Sequence, residues 1–149
     1  ITPNWTITAN YTYLDAELLQ SVSDRCLANP GSGSCSNTPA NPNPGAGQYL
    51  TQTPKHSGSL FTTYRVLRPL TLGGGVNAMS SISSAAGLRA GGYATFDAMA
   101  AYRFTPKLKL QINADNIFNR HYYARVGSAN TFNIPGSERS LMANLRYDF

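Results

Sequence analysis

The sequence predicts an all-β protein, a fragment of the antiparallel wall of a transmembrane β-barrel, on three observations. Apolar and polar residues alternate with a period of two in successive segments, the connections between segments alternate between long and short, and charged residues keep to one side of the alternation. The closing segment is the clearest. From Ser140 to Phe149, Leu141, Ala143, Leu145, Tyr147 and Phe149 share one alternation, and Asn144, Arg146 and Asp148 the other. Side chains of a strand point alternately to opposite faces, so one face of this segment can meet lipid and the other a polar lumen. A half-buried edge strand of a soluble sheet alternates in the same way, and the rest of the chain decides between them.

In chain order, Trp5 to Leu14 supplies the first strand, with Trp5, Ile7, Ala9, Tyr11 and Tyr13 opposite Thr6, Thr8, Asn10 and Thr12. Periodicity is lost from about residue 17 to residue 52, where repeated Pro, Gly, Asn and Ser predict a long loop. Cys26 and Cys35 lie close together in that loop, and in an exported protein such a pair predicts a disulfide. The alternative is two free thiols in a cytosolic protein; no His or further Cys lies near enough to make them metal ligands. Ser57 to Val66 resumes alternation, and after Arg68 and Pro69 the run from Leu70 to Ala78 alternates again. Its Gly73-Gly74-Gly75 lacks the helix, Lys and Ser/Thr of a phosphate loop, so these glycines mark strand curvature or close backbone approach. A Ser/Ala/Gly-rich loop covers Ser80 to Gly92. Tyr93 to Phe104 then forms a strand, Thr105-Pro106-Lys107 a tight turn, and Leu108 to about Phe118 the next strand, before a loop of about twenty residues leads to the closing strand.

These connections run long, short, long, short, long. Outer-membrane barrels have short periplasmic turns and long extracellular loops, so the turns near Pro69 and Pro106 are expected in the periplasm and the three loops outside. The aromatics fit: Trp5, Tyr64, Tyr102, Phe104, Tyr147 and Phe149 fall at the periplasmic ends of strands, and Tyr11, Tyr13, Phe96 and Phe118 toward the outer ends. Such rings prefer the headgroup region. Arg65, Asp97, Arg103, Lys109, Asp115, Arg146 and Asp148 all take the lumen side of the alternation. On the lipid side each would cost roughly 2 to 4 kcal/mol near the midplane. Lumen arginines such as Arg103 are expected to tie to Asp97 or other carboxylates.

Composition narrows the function. The 149 residues carry a net charge of +5 with only 13% charged side chains, and the basic residues are scattered singly, which excludes a nucleic-acid module. A basic lumen or mouth for an anionic solute accounts for the charge. No stretch approaches the roughly 20 apolar residues of a spanning helix. The start of the chain has no export signal, and about six strands cannot close a barrel whose smallest forms have about eight. The expectation is therefore a piece of a larger exported protein. Neither His56 nor His121 enters a triad, so no enzyme is expected.

Several segments resemble TonB-dependent outer-membrane receptors. LKLQINADNIFNRHYY, Leu108 to Tyr123, is similar to the family's penultimate-strand motif, and Pro135-Gly136-Ser137-Glu138-Arg139 followed by SLMANLRYDF resembles its closing strand. Thr53-Pro54-Lys55-His56-Ser57 and FDAMAAYRF, Phe96 to Phe104, are similar most closely to catecholate siderophore receptors. The resemblance implies the last six or so strands of a barrel of about 22, in the Gram-negative outer membrane, around an N-terminal plug absent from residues 1–149. It implies ferric siderophore as cargo and ligand, TonB as partner through the plug, and no resident cofactor or metal. Leu145, Tyr147 and Phe149 match the family's signal to the outer-membrane assembly machinery. Ferric catecholates are anionic and flat-ringed, so Arg25, Arg89, Tyr93, Arg120, Tyr122, Tyr123 and Arg125 are the candidate ligand-binding residues. A passive porin or, further off, a soluble lipocalin-like barrel are the alternatives.

Overall fold

The computed structural model describes residues 4–17, 28, 49–84, 87–127 and 132–149. Its strands are β1 (Trp5–Tyr13), β2 (His56–Arg65), β3 (Leu70–Met79), β4 (Ile82–Ser83), β5 (Arg89–Ala90), β6 (Tyr93–Thr105), β7 (Leu108–Asp115), β8 (Tyr123–Arg125), β9 (Ile134–Pro135) and β10 (Ser140–Tyr147). Six of them make one antiparallel sheet in the order β1-β2-β3-β6-β7-β10, so each long strand lies beside its neighbour in sequence. The other four form two short hairpins, β4 with β5 and β8 with β9. Both hairpins occupy segments whose alternation is too short to register in the sequence. Arg25, Cys26 and Cys35 lie outside the described residues, and Glu17 pairs with Tyr49 at the base of the segment that contains them.

Register carries one alternation across the whole sheet. Trp5 lies opposite Tyr64, Tyr64 opposite Leu72, Leu72 opposite Ala100, Ala100 opposite Ile112, and Ile112 opposite Ala143. A slip of one residue at any pairing would turn a strand's apolar set to the other face, so five ladders agreeing is a strong constraint. The apolar face narrows in the middle, where Gly74, Ala98 and Ala114 are neighbours, and is bulky at both ends. Trp5 satisfies its indole there by donating to Thr62 Oγ1 at 2.7 Å.

No second layer covers this face. Leu141 is 74% and Leu145 69% exposed, and the buried hydrophobics among the described residues are only Ile82, Ala90, Ala101 and Val126. A soluble sheet would have to bury such a stripe against another layer. The polar face holds Arg65, Asp97, Arg103, Lys109, Asp115 and Arg146, together with two aromatics, Tyr93 at the long-loop end and Phe61. The Phe61 ring lies over Gly75, its cross-strand partner; a Cβ at Gly75 would fall 2.5 Å from that ring and 2.8 Å from the Leu60 carbonyl. Close backbone approach is thus the reason for Gly75.

Four strands end earlier than alternation suggests, β1 at Tyr13 and β2 at Arg65 by a single residue each, and β7 and β10 by more. β7 stops at Asp115 because Asn116 adopts a left-handed φ of 49°. β10 stops at Tyr147, although the Asp148 N–H still reaches the Lys107 carbonyl at 2.9 Å.

Candidate functional site: the long-loop mouth

The candidate residues within the described part of the chain sit at the end of the sheet where the long connections lie, and the scaffold beneath them is a set of satisfied polar groups. Asp97, on the polar face, accepts from Asn77 Nδ2 at 2.6 Å and from the Asn116 backbone N–H at 2.9 Å. That replaces the expected pairing with Arg103, which makes no ion pair to a described residue. Asn116 is buried and in a conformation that asparagine tolerates. Its Nδ2 donates to the carbonyls of Arg120 and Ser137, both at 2.9 Å, and its Oδ1 accepts the Arg120 N–H at 2.8 Å. Asn119, also at φ 49°, accepts the Arg139 N–H at 2.9 Å. The end of β7, the third loop and the entry to β10 are thereby locked together.

On this base the aromatics pair. Tyr122 stacks on Tyr93 with centroids 3.8 Å apart, and its ring lies so close over Gly136 that no Cβ fits there. Phe118 meets Phe96 edge-on at 5.4 Å. Tyr123 is half exposed, and Arg120 and Arg125 are exposed beside it. Arg89 directs its guanidinium back to Ser81 Oγ, with bonds of 2.7 and 3.1 Å. It shares a cavity of about 510 Å³ with Lys55, His56 and Tyr49.

Lys55 and Tyr49 escape sequence reasoning. The Lys55 ammonium sits 3.5 Å from the centre of the Tyr49 ring and 3.1 Å from Asp15, a residue forty positions away. Hydrogen bonding to Tyr49, and then to Asp15, holds its pKa above the usual lysine range. The ammonium therefore stays charged at neutral pH. Nothing in the sequence pairs these positions.

One side chain joins the loops. Gln52, at φ 59°, donates its backbone N–H to the Ser83 carbonyl at 2.7 Å. Its side-chain amide donates to the Val126 carbonyl and accepts the Val126 N–H at 3.2 Å. Beneath it, Ile82, Ala90 and Val126 form a small buried cluster against which Met79 packs. Arg89 and Arg125 each precede a member of that cluster, so their backbones flank it from two loops; Arg89 lines the cavity with Lys55, and Arg125 is exposed outside it. Arg120, Tyr122 and Tyr123 belong to the third loop, and Arg25 lies outside the described residues. Cations and ring faces around an open cavity suit an anionic, planar solute. Among the described residues, no cluster of His, Cys, Asp or Glu could hold a metal ion.

An antiparallel sheet one layer thick, apolar on one uncovered face and charged only on the other, is the wall of a transmembrane β-barrel. The family model described as "TonB dependent receptor-like, beta-barrel" matches residues 2–117, and the chain belongs to that family. It is 30% identical, over 99% of its length, to the siderophore receptor PiuA of Acinetobacter baumannii, and covers 19% of that protein. The PiuA crystal structure matches with a TM-score of 0.75 at 29% identity, over 99% of this chain and 20% of that one. The catecholate siderophore receptor Fiu of Escherichia coli is 26% identical over 99% of this chain and 18% of its own. A ferric-pyoverdine receptor of Pseudomonas putida is 34% identical over 66% of this chain and 12% of its own. The chain thus spans about a fifth of PiuA. These relatives are receptors, not enzymes, and the barrel is integral to the Gram-negative outer membrane. Its apolar face is turned to lipid and its polar face to the lumen.

Proposed function

We propose that this chain forms part of the wall and rim of a receptor that takes up a ferric siderophore across the outer membrane, with the loop end outside. TonB energises the step through a plug carried by the rest of the protein, and the cargo is a ferric catecholate. The observation that carries the reading is the convergence of Arg89 and Arg125 on one buried cluster, with Lys55 held charged over Tyr49 in the adjoining cavity. A flat, multiply anionic complex meets cations from two sides there. Kinship supports the siderophore reading, and the electrostatics support catecholate, because the relatives include receptors for both catecholates and pyoverdines.

The direct test is Arg89→Gln with Arg125→Gln in the full-length protein. Affinity for the iron(III) complex of 2,3-dihydroxybenzoate should fall by about 1 to 3 kcal/mol, the range for charge-assisted hydrogen bonds, and the loss should shrink in high salt. Affinity for a neutral hydroxamate complex should not change. Equal catecholate affinity in variant and wild type would remove these arginines from the site.

Sidedness has its own test. Leu88 is exposed in the β4–β5 connection and Lys107 in the turn between β6 and β7. On whole cells an impermeant maleimide should label Leu88→Cys and spare Lys107→Cys. Equal labelling would overturn the orientation.

A further inference from the structure

Like charges stand directly opposite one another at the short-turn end of the lumen face. Arg103 on β6 lies across from Lys109 on β7, and Lys109 across from Arg146 on β10, a row of three cations on three adjacent strands. Such pairs destabilise a sheet. Arg65 and Arg68 join Arg103 and Lys109 in lining a cavity of about 510 Å³ floored by Thr71 and Ala101. Of these five cations only Arg146 has an acidic partner among the described residues, Asp148 at 2.9 Å; Arg65, Arg68, Arg103 and Lys109 have none there. Lys109 makes one long contact, 3.4 Å, to Gln111. A sequence shaped for stability alone would place acidic or neutral partners opposite these cations, as it gives the Asp97 carboxylate a neutral amide donor in Asn77. A local conflict of this kind marks a functional position.

We propose that this basin is a second anion station, at the opposite end of the lumen from the mouth, which receives the multiply anionic cargo as it passes toward the short-turn side. The proposal rests on the uptake reading above. The cavity volume falls in the range of small-ligand sites, and guanidinium groups engage the oxygens of carboxylates, catecholates or phosphates in pairs. Three arginines and a lysine around one open space match a ligand with several such oxygens better than a single ion. The apolar face of the same strands is turned to lipid, so the basin opens on the lumen side of the sheet, at the rim formed by Arg68 and Pro69 of the short turn.

The test uses the full-length protein with Arg103→Gln and Lys109→Gln together. Surface affinity for the iron(III) 2,3-dihydroxybenzoate complex should equal that of wild type, because the mouth is untouched. Uptake should slow on the order of tenfold, the equivalent of one charge-assisted contact. The urea midpoint of the purified barrel should hold or rise, since opposed like charges are removed. Arg103→Lys should retain most of the uptake. A second arm titrates inorganic tripolyphosphate, and separately inorganic phosphate, against a fluorophore on Thr71→Cys. A saturable response to tripolyphosphate, lost in the double variant, is expected, with phosphate much weaker. Wild-type uptake by the double variant would overturn the proposal. So would a lowered midpoint, which would mean that an acidic segment of the protein permanently neutralises the basin, and so would a non-saturable titration. Cells that never bind the ferric complex would overturn the uptake reading, while the titration still decides the site.

Discussion

Replacing Asn116 with alanine is expected to destabilise the long-loop end by about 3 to 4 kcal/mol. Three side-chain hydrogen bonds are lost at about 1 kcal/mol each, and their partners at Arg120 and Ser137 have no substitute donor or acceptor among the described contacts. Alanine at φ 49° adds about 1 kcal/mol of backbone strain. Asn116→Gly separates the terms: it accepts the backbone and loses the bonds, and should recover roughly 1 kcal/mol relative to alanine. The measurement is the urea midpoint of the purified barrel together with protease cleavage in the third loop. Cleavage should rise in both variants, most in alanine. A protease-resistant Asn116→Ala barrel would show that the loop holds without this hub.

Deleting Phe149 is expected to cut the yield of folded, heat-modifiable barrel severalfold while leaving synthesis unchanged. The side chain is fully exposed and touches Tyr147 edge-on at 5.2 Å. The ladder beside it is already completed by Asp148 donating to Lys107. Within this sheet the ring therefore holds nothing together. Its apolar surface continues the lipid-facing alternation, where placing a phenylalanine side chain out of water is worth roughly 1.5 to 3 kcal/mol. Together with Leu145 and Tyr147 it presents the pattern that the family resemblance implies as a signal for outer-membrane assembly, and the deletion tests that role. Phe149→Trp should preserve yield and Phe149→Ser should not, as measured by heat-modifiability on unheated gels. Full yield after deletion would assign the residue to an ordinary strand end.

The strands were legible because lipid on one side and a polar lumen on the other impose a period-two pattern along most of each strand. Trp5 to Tyr13 and Leu108 to Asp115 show it in almost every residue. Phe61 breaks the pattern, and only the register reveals why: it fills the space that Gly75 leaves open. The β4–β5 and β8–β9 hairpins were not legible, since paired segments of two or three residues carry no measurable period. At the mouth, residue type was readable and placement was not. Arg89 and Arg125 could be chosen by charge, but their convergence depends on Ile82, Ala90 and Val126 meeting across loops. Lys55 was invisible as a site residue because Asp15 is forty positions away and nothing in the short stretch from Tyr49 to Lys55 signals that the ring lies under the ammonium. The cationic row of Arg103, Lys109 and Arg146 was visible as three lumen-side residues; that they face one another is a fact of register alone.

Gln52 gives the mouth a kinetic character. Three loops that moved independently would release a captured solute whenever any one of them fluctuated. With one side chain bonded to Val126, its own backbone bonded to Ser83, and a shared apolar cluster below, those loops part only when several contacts break in the same event. In the receptor proposed above, departure of a bound solute would then wait on a joint opening, and its residence time would depend on this glutamine as well as on the groups that touch the solute.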